Sequence, residues 1–113
     1  MLNGAVAELQ CAAILVEIGW SVSLPITHEN PYDIVIYRDG VLRTVQVKSS
    51  SATQSDRTSV MADFSKYRDI DYIIIWDAPQ GDWYIFTRGE LNRVKRLTLN
   101  KDKYNKQHNN WER

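Results

Sequence analysis

The stretch PYDIVIYRDGVLRTVQVKSS, residues 31–50, decides how this chain is read. Two apolar-rich segments, Tyr32 to Arg38 and Val41 to Ser49, flank Asp39-Gly40. Asp-Gly is the strongest short hairpin signal, because both central residues of a type I′ turn need positive φ. A two-residue loop pairs Arg38 with Val41 and sets the register behind it, so that Asp33 is expected opposite Gln46 and Tyr32 opposite Val47. Opposed residues share a face, as do residues two apart in one strand. Asp33, Gln46 and Lys48 should therefore project together from one face, an arrangement that a one-residue slip would destroy.

Upstream of the hairpin, Asn3 can N-cap a helix running to about Ile18, with Gly19 as its stop. At about 100° per residue, Ala5, Val6, Leu9, Ala12, Ala13 and Val16 make one apolar arc, extended by Cys11, Leu15 and Ile18. Glu8 falls inside this apolar sector, where a carboxylate needs a cation, a donor or water. Trp20 to Ile26 alternates as a half-buried strand, ended by Pro25 and the polar Thr27-His28-Glu29-Asn30.

Downstream, residues 50–59 read as a polar loop of small hydroxyls with one arginine, and Met61 to Arg68 as a short helix. Tyr72 to Trp76 is a continuous apolar run, as in a strand buried on both faces. A turn at Pro79–Asp82 leads into Trp83 to Phe86. Thr87 and Glu90 fit a capping box opening another short helix. Arg96 to Leu99 reads as a last strand and Lys101 to Arg113 as a terminal helix. The order is that of a mixed α/β domain built on one central sheet.

The whole chain of 113 residues suits one domain, 1–113, large enough to hold a core without staples. With 43% hydrophobic and 25% charged residues it has the make-up of a soluble globular protein rather than a disordered one. A lone cysteine, Cys11, excludes an intramolecular disulfide and suits a reducing, cytoplasmic location. With only His28 and His108 beside it, a Cys/His zinc site is excluded. Leu2 to Ile18, the most apolar stretch, is broken by Glu8, Gln10 and Glu17, so neither a signal peptide nor a membrane span is expected. The net charge of zero hides an asymmetry: residues 1–40 carry one base and five acids, residues 91–113 seven bases and two acids. That polarity permits a basic face opposite an acidic pocket.

A helix glutamate, a strand aspartate and an opposed Gln-x-Lys suggest a divalent-metal site. Hard cations such as Mg²⁺ take oxygen ligands from carboxylates, amides, main-chain carbonyls and water. A lysine beside such a site can hold a water nucleophile and offset charge building on a phosphoryl oxygen. That is equipment for phosphodiester hydrolysis.

Pro31-Tyr32-Asp33, followed on the next strand by Gln46-Val47-Lys48, resembles the PD-(D/E)XK nuclease superfamily. The order of helix with Glu, strand, Asp-bearing strand and X-X-Lys strand matches the core of that superfamily. Thr44-Val45-Gln46-Val47-Lys48-Ser49-Ser50, the later Asp71 to Trp76 and the tail from Tyr104 to Trp111 are similar to the group I intron-type homing endonucleases, and also to archaeal-type Holliday junction resolvases. The resemblance spans nearly the whole chain. It implies a restriction-endonuclease-like core, a central mixed five-stranded sheet with flanking helices.

The resemblance implies roles as well. Asp33 becomes the main metal ligand, with Gln46 and the carbonyl of Val47 beside it; Glu8 completes the metal and water shell, and Lys48 orients the attacking water. Mg²⁺ is the implied ion, with Mn²⁺ as substitute. Gln46 departs from the usual Asp or Glu and leaves two carboxylates rather than three. The implied activity is a Mg²⁺-dependent DNA endonuclease cutting both strands of a duplex. A Holliday junction resolvase and a catalytically inactive DNA-binding domain of the same fold are the alternatives. Cutting two strands takes two active sites, so a homodimer or homotetramer acting on double-stranded or branched DNA is expected, with no membrane partner.

Phosphate contacts are expected from Ser49, Ser50 and Arg57 and from Lys101, Lys103 and Lys106 in the basic tail, which also holds Arg93, Lys95 and Arg96. His28 reads as a surface turn residue, Asp77 and Asp82 as turn formers, and Trp20, Trp76, Trp83 and Trp111 as core or interface rather than base-stacking platforms.

Overall fold

A computed structural model describes residues 4–26, 32–50, 53–54, 57–61 and 63–113. The expected cap at Asn3, the turn holding His28 and the residue Pro31 lie outside them. The first element is helix α1 (Gly4–Glu17). It ends in a two-bond motif, Trp20 N–H to Leu15 O at 3.0 Å and Gly19 N–H to Val16 O at 3.1 Å. Gly19 holds φ +107°, which a side chain would resist.

The buried ridge of α1 is Ala7, Cys11 and Leu15, while Leu9 and Val16 are more than half exposed. The arc through Ala5, Leu9, Ala13 and Val16 is therefore not the core face. A helix this apolar presents several plausible stripes, and tertiary packing chooses between them.

Strands β1 (Ser21–Ser23), β2 (Ile34–Arg38), β3 (Val41–Ser50), β6 (Tyr72–Asp77) and β7 (Asp82–Thr87) form a five-stranded mixed sheet in the order β1-β2-β3-β6-β7. The Asp39-Gly40 turn has φ 52° and 80°, as a type I′ turn requires. Arg38 pairs with Val41 and Ile34 with Val45, the register that the turn dictates. Strand β6 lies parallel to β3, from Val45↔Tyr72 to Ser50↔Asp77, and antiparallel to β7. The fold is α/β, with this sheet at its centre.

One face of the sheet packs Ile34, Ile36, Val45, Val47, Ile74 and Ile85 against α1. Trp76, Trp83 and Trp111 join the same side as a ring cluster, consistent with a packing role. The other face packs Ile73, Ile75, Tyr84 and Phe86 against a second layer.

That second layer corrects the reading of residues 50–59. Instead of a plain loop, it contains β4 (Thr53–Gln54) and β5 (Arg57–Met61), which join β8 (Arg96–Leu99) in a small antiparallel sheet. A run of Ser and Thr looks solvated by composition, yet β-branched Thr58 and Val60 suit a half-buried pleat. Between β5 and β6 the expected helix is a single 3₁₀ turn, Phe64–Tyr67, capped by Asp63 through Ser65 N–H.

Two expected helices do not form. Glu90 Oε1 accepts the Thr87 N–H at 2.7 Å, the reciprocal half of a capping box, but residues 88–93 only turn. The segment after Asn100 is a series of turns that runs along β7, with Ile85 N–H to Gln107 O at 3.0 Å and a bridge between Tyr84 and His108. Covering an open strand edge takes precedence over helix propensity there. The end is tied down by Arg113, which grips both Glu90 carboxylate oxygens at 2.8 and 2.9 Å. Burial pushes the Glu90 carboxyl up, but the bonds from Arg113 and Thr87 outweigh it and hold the group below its ordinary value.

Asp77 closes the gap between the two sheets. It is 1% exposed and accepts hydrogen bonds from the Thr58 hydroxyl of β5 and from the Gln80 N–H. It is thus a buried crosslink rather than only a turn former. Burial pushes its carboxyl above the ordinary 3.8, against the hydrogen bonds of Thr58 and Gln80. A carboxyl raised in the folded state binds its proton more tightly there, so stability falls as pH climbs from 3.8 through the raised value. Asp77→Asn keeps an oxygen for both donors and removes the charge. It should melt at least as high as the parent at pH 7 and flatten the stability profile above pH 4; a lower melting temperature at pH 7 would mean that the charge itself holds the sheets together.

Candidate functional site

Strand β3 carries the candidate site and is paired on both sides in opposite senses: β2 runs against it and β6 runs with it. The parallel pairing is pinned at its start by Asp71, whose Oδ2 accepts the Thr44 N–H at 2.9 Å while its own N–H donates to Thr44 Oγ1 at 3.2 Å. Lys48 is thereby set beside Ile75, and Gln46 beside Ile73, on the face away from α1.

Asp33 stands just before β2, and there the ladder breaks in the manner of a β-bulge. Its N–H donates at 2.8 Å to the carbonyl of Val45, which is the partner of Ile34. Alternation fails at the same point: Ile34 packs on the α1 side, whereas Tyr32, two residues earlier, packs with the opposite cluster. Asp33 is therefore not a ladder partner of Gln46, as an unbroken register implies. Bulges re-aim side chains in this way and recur beside active sites.

The aspartate is re-aimed onto the main chain of β3. Asp33 Oδ2 accepts the Val47 N–H at 2.9 Å, in place of a backbone carbonyl. Gln46 Nε2 approaches the Val47 carbonyl at 3.4 Å, so the donor end of the amide is directed at the chain. The Asp33 carboxylate and the Gln46 amide thus meet at the main chain of one residue, Val47, the first on its N–H and the second on its carbonyl. Lys48 follows immediately, half-buried, with its ammonium 5.0 Å from the centre of the Tyr67 ring.

Glu8 lies on α1. It is half-buried and engaged, one helical turn from Cys11. Burial pushes the Cys11 thiol up to about 12, and the Asp33 charge adds to that rise. Cys11 is thus flanked by Glu8 on its own helix and by Asp33 on the sheet. A thiol held neutral in this way is a packing group rather than a nucleophile.

The donor set is oxygen throughout, which fits a hard divalent cation. Asp33, the amide oxygen of Gln46 and the Val47 carbonyl are the groups that would hold it, with Glu8 behind. Among the described residues, no three His, Cys, Asp or Glu side chains converge on a point that could hold a metal ion. A site built from the described residues draws on neutral oxygens as well as carboxylates.

The remaining expected residues lie apart. Ser49 and Ser50 end β3, where the Ser50 hydroxyl donates to Ser59 O at 2.8 Å and ties the two sheets. Arg57 opens β5. Lys101, Lys103 and Lys106 are exposed on the turns beyond β8, and the Lys103 ammonium lies 5.3 Å from the Tyr104 ring centre. The roles that the structure gives Tyr67, Asp71 and Asp77 escaped the sequence reading. Only Asp71, a lone carboxylate before an apolar strand, left any signal there.

Over residues 2–113 the chain matches the model of the PD-(D/E)XK endonuclease family, and it belongs to that family. It is similar to Protein 5.3 of Escherichia phage T7, 26% identical over 106 residues that span 88% of this chain and 90% of that protein. Among solved structures it resembles a bacterial homing endonuclease, I-Ssp6803I, with a TM-score of 0.78 and 22% identity over 99% of this chain and 91% of the other. It also resembles Hjc, a Holliday junction resolvase from the archaeal hyperthermophile Archaeoglobus fulgidus, with a TM-score of 0.57 and 18% identity over 92% and 88% of the two chains. These structural likenesses establish the fold.

The departure at Gln46 is open to test. Gln46→Glu adds a charge at a position only 7% exposed and removes the donor to Val47. Without metal the variant should melt lower, because a buried carboxylate lacks compensation. Calorimetric titration should show tighter Mg²⁺ and Mn²⁺ binding than in the parent; unchanged affinity would remove Gln46 from the ligand set.

Proposed function

We propose that the chain is a Mg²⁺-dependent DNA endonuclease that hydrolyses phosphodiester bonds and cuts both strands of a duplex in the manner of a homing endonuclease. The observation that carries this reading is the seating of Asp33 on the Val47 N–H, between Gln46 and Lys48. One carboxylate oxygen is spent on orientation and the other is left to face a cation. When bound, a divalent ion supplies Lewis acidity toward the scissile phosphate and its water.

The chain's own residues do the rest. Asp33 and Gln46 present oxygens from a rigid strand pair, so little ordering remains to be done at the moment of reaction. Lys48 holds the attacking water by a hydrogen bond and sets its positive charge beside the phosphoryl oxygens. Glu8 accepts from water at the other side of the site. Ser49, Ser50, Arg57, Lys101, Lys103 and Lys106 are assigned to the DNA backbone, where contacts position the duplex without reading it. Two-strand cutting requires two such sites, hence a homodimer or homotetramer.

Two observations keep other substrates in the test. The likeness to a junction resolvase extends over most of both chains, and a four-way junction would be cut by the same chemistry. The neutral Gln46 is what a binding-only domain of this fold would tolerate. Purified protein with Mg²⁺ or Mn²⁺ on plasmid, linear duplex and synthetic junction separates the three readings: linearised plasmid, resolved junction, or binding without cleavage.

Asp33→Asn isolates the charge, since the amide oxygen can still accept the Val47 N–H. Cleavage should be abolished with melting temperature and DNA binding near those of the parent. Asp33→Ala should lose cleavage and also about 1–2 kcal/mol of stability with the hydrogen bond. Cleavage by Asp33→Asn at the parental rate would exclude Asp33 from the site.

A further inference from the structure

Lys48 is the group whose position matters most and whose side chain is least able to hold one. Its four-carbon stem carries about 2 kcal/mol of rotamer entropy, and its place in β3 fixes only the Cα. A carboxylate could hold the ammonium but would neutralise the charge that the reaction needs. Among the described residues Lys48 makes no ion pair. What it has is the Tyr67 ring, whose centre lies 5.0 Å from Nζ, within cation–π range. Lys66 lies at 5.6 Å from the same ring centre.

We propose that Tyr67 is a positioning residue for Lys48: its ring face holds the ammonium in place while leaving the charge unpaired. The inference rests on the reading of Lys48 as a site residue. The ring is well anchored for the task. Tyr67 is 7% exposed and packs in the cluster with Phe64, Ile70 and Ile75. Its carbonyl accepts the Ile70 N–H at 3.0 Å, and the 3₁₀ turn that carries it starts from the Asp63 cap. The turn is bonded in its turn to the second sheet's side of the molecule through Phe64 N–H and Val94 O. The small sheet and its connection thus act on the site through one aromatic ring.

Tyr67→Phe keeps the ring, and Tyr67→Leu keeps apolar bulk without it. Single-turnover cleavage of a duplex or junction should be near parental in Tyr67→Phe and about tenfold slower in Tyr67→Leu, with KM unchanged, as the loss of a partly buried cation–π contact implies. A readout without metal or DNA accompanies it: ring current should shift the Lys48 ε-methylene protons upfield in parent and Tyr67→Phe, and not in Tyr67→Leu. Unshifted protons in the folded parent, or equal cleavage by Tyr67→Leu and parent, would overturn the proposal. Lys48→Ala separates the two levels: if it cuts at the parental rate, the assignment of Lys48 to the site fails, whereas an inactive Lys48→Ala beside a fully active Tyr67→Leu defeats the role of Tyr67 alone.

Discussion

Everything at the candidate site hangs on the register that the Asp39-Gly40 turn imposes on β2 and β3. Two consecutive residues with positive φ leave the chain one way to return, and from there Ile34 must meet Val45. Strand side chains alternate with a period of two, so a slip of one would turn Gln46 and Lys48 toward α1 and bring Val45 and Val47 to the other face. Burying a lysine among Ala7, Cys11 and Leu15 would be costly, and that cost protects the register. Turn chemistry and core patterning thus specify the same pairing independently.

Within that frame the site is built by one local violation. If the ladder ran unbroken past Ile34, Asp33 would simply face Gln46. The break places its carboxylate in the plane of the sheet, on a main-chain donor, with α1 on one side and the lysine face on the other. A carboxylate held by a backbone N–H cannot drift with side-chain rotamers, which suits the ligand role proposed for Asp33. Asp71 performs a comparable service at the start of β6, and Asp77 at its end. Three carboxylates that resemble one another in sequence thus do three different things: orient the site, pin a parallel register, and join two sheets.

The central sheet was legible because its signals are local. Asp-Gly names its turn, Tyr72 to Trp76 is too apolar for a surface, and Gly19 ends α1 in the one conformation that suits it. Elements whose form depends on distant partners were not legible. Helix α1 carries so many apolar residues that its buried ridge is chosen by the sheet, not by its own periodicity. Residues 57–61 are polar enough to pass for loop until β8 is there to pair with them. The tail from Lys101 has helical composition but lies along the exposed edge of β7, a requirement that no window of sequence can display. At the candidate site, the hairpin that carries Gln46 and Lys48 was readable from its turn, while the bulge at Asp33 and the contact of Lys48 with Tyr67 are products of tertiary structure.

The proposed activity requires a divalent cation where Asp33, Gln46 and Val47 meet. Paramagnetic broadening by substoichiometric Mn²⁺, followed in the amide and side-chain NMR signals of the DNA-free protein, locates the ion directly. Signals of Asp33, Gln46, Val47 and Glu8 should be lost first, and excess Mg²⁺ should restore them. Broadening centred instead on Asp77, Asp82 and Asp102, the other carboxylates gathered around Tyr84, with those of Asp33 and Gln46 left sharp, would contradict the account.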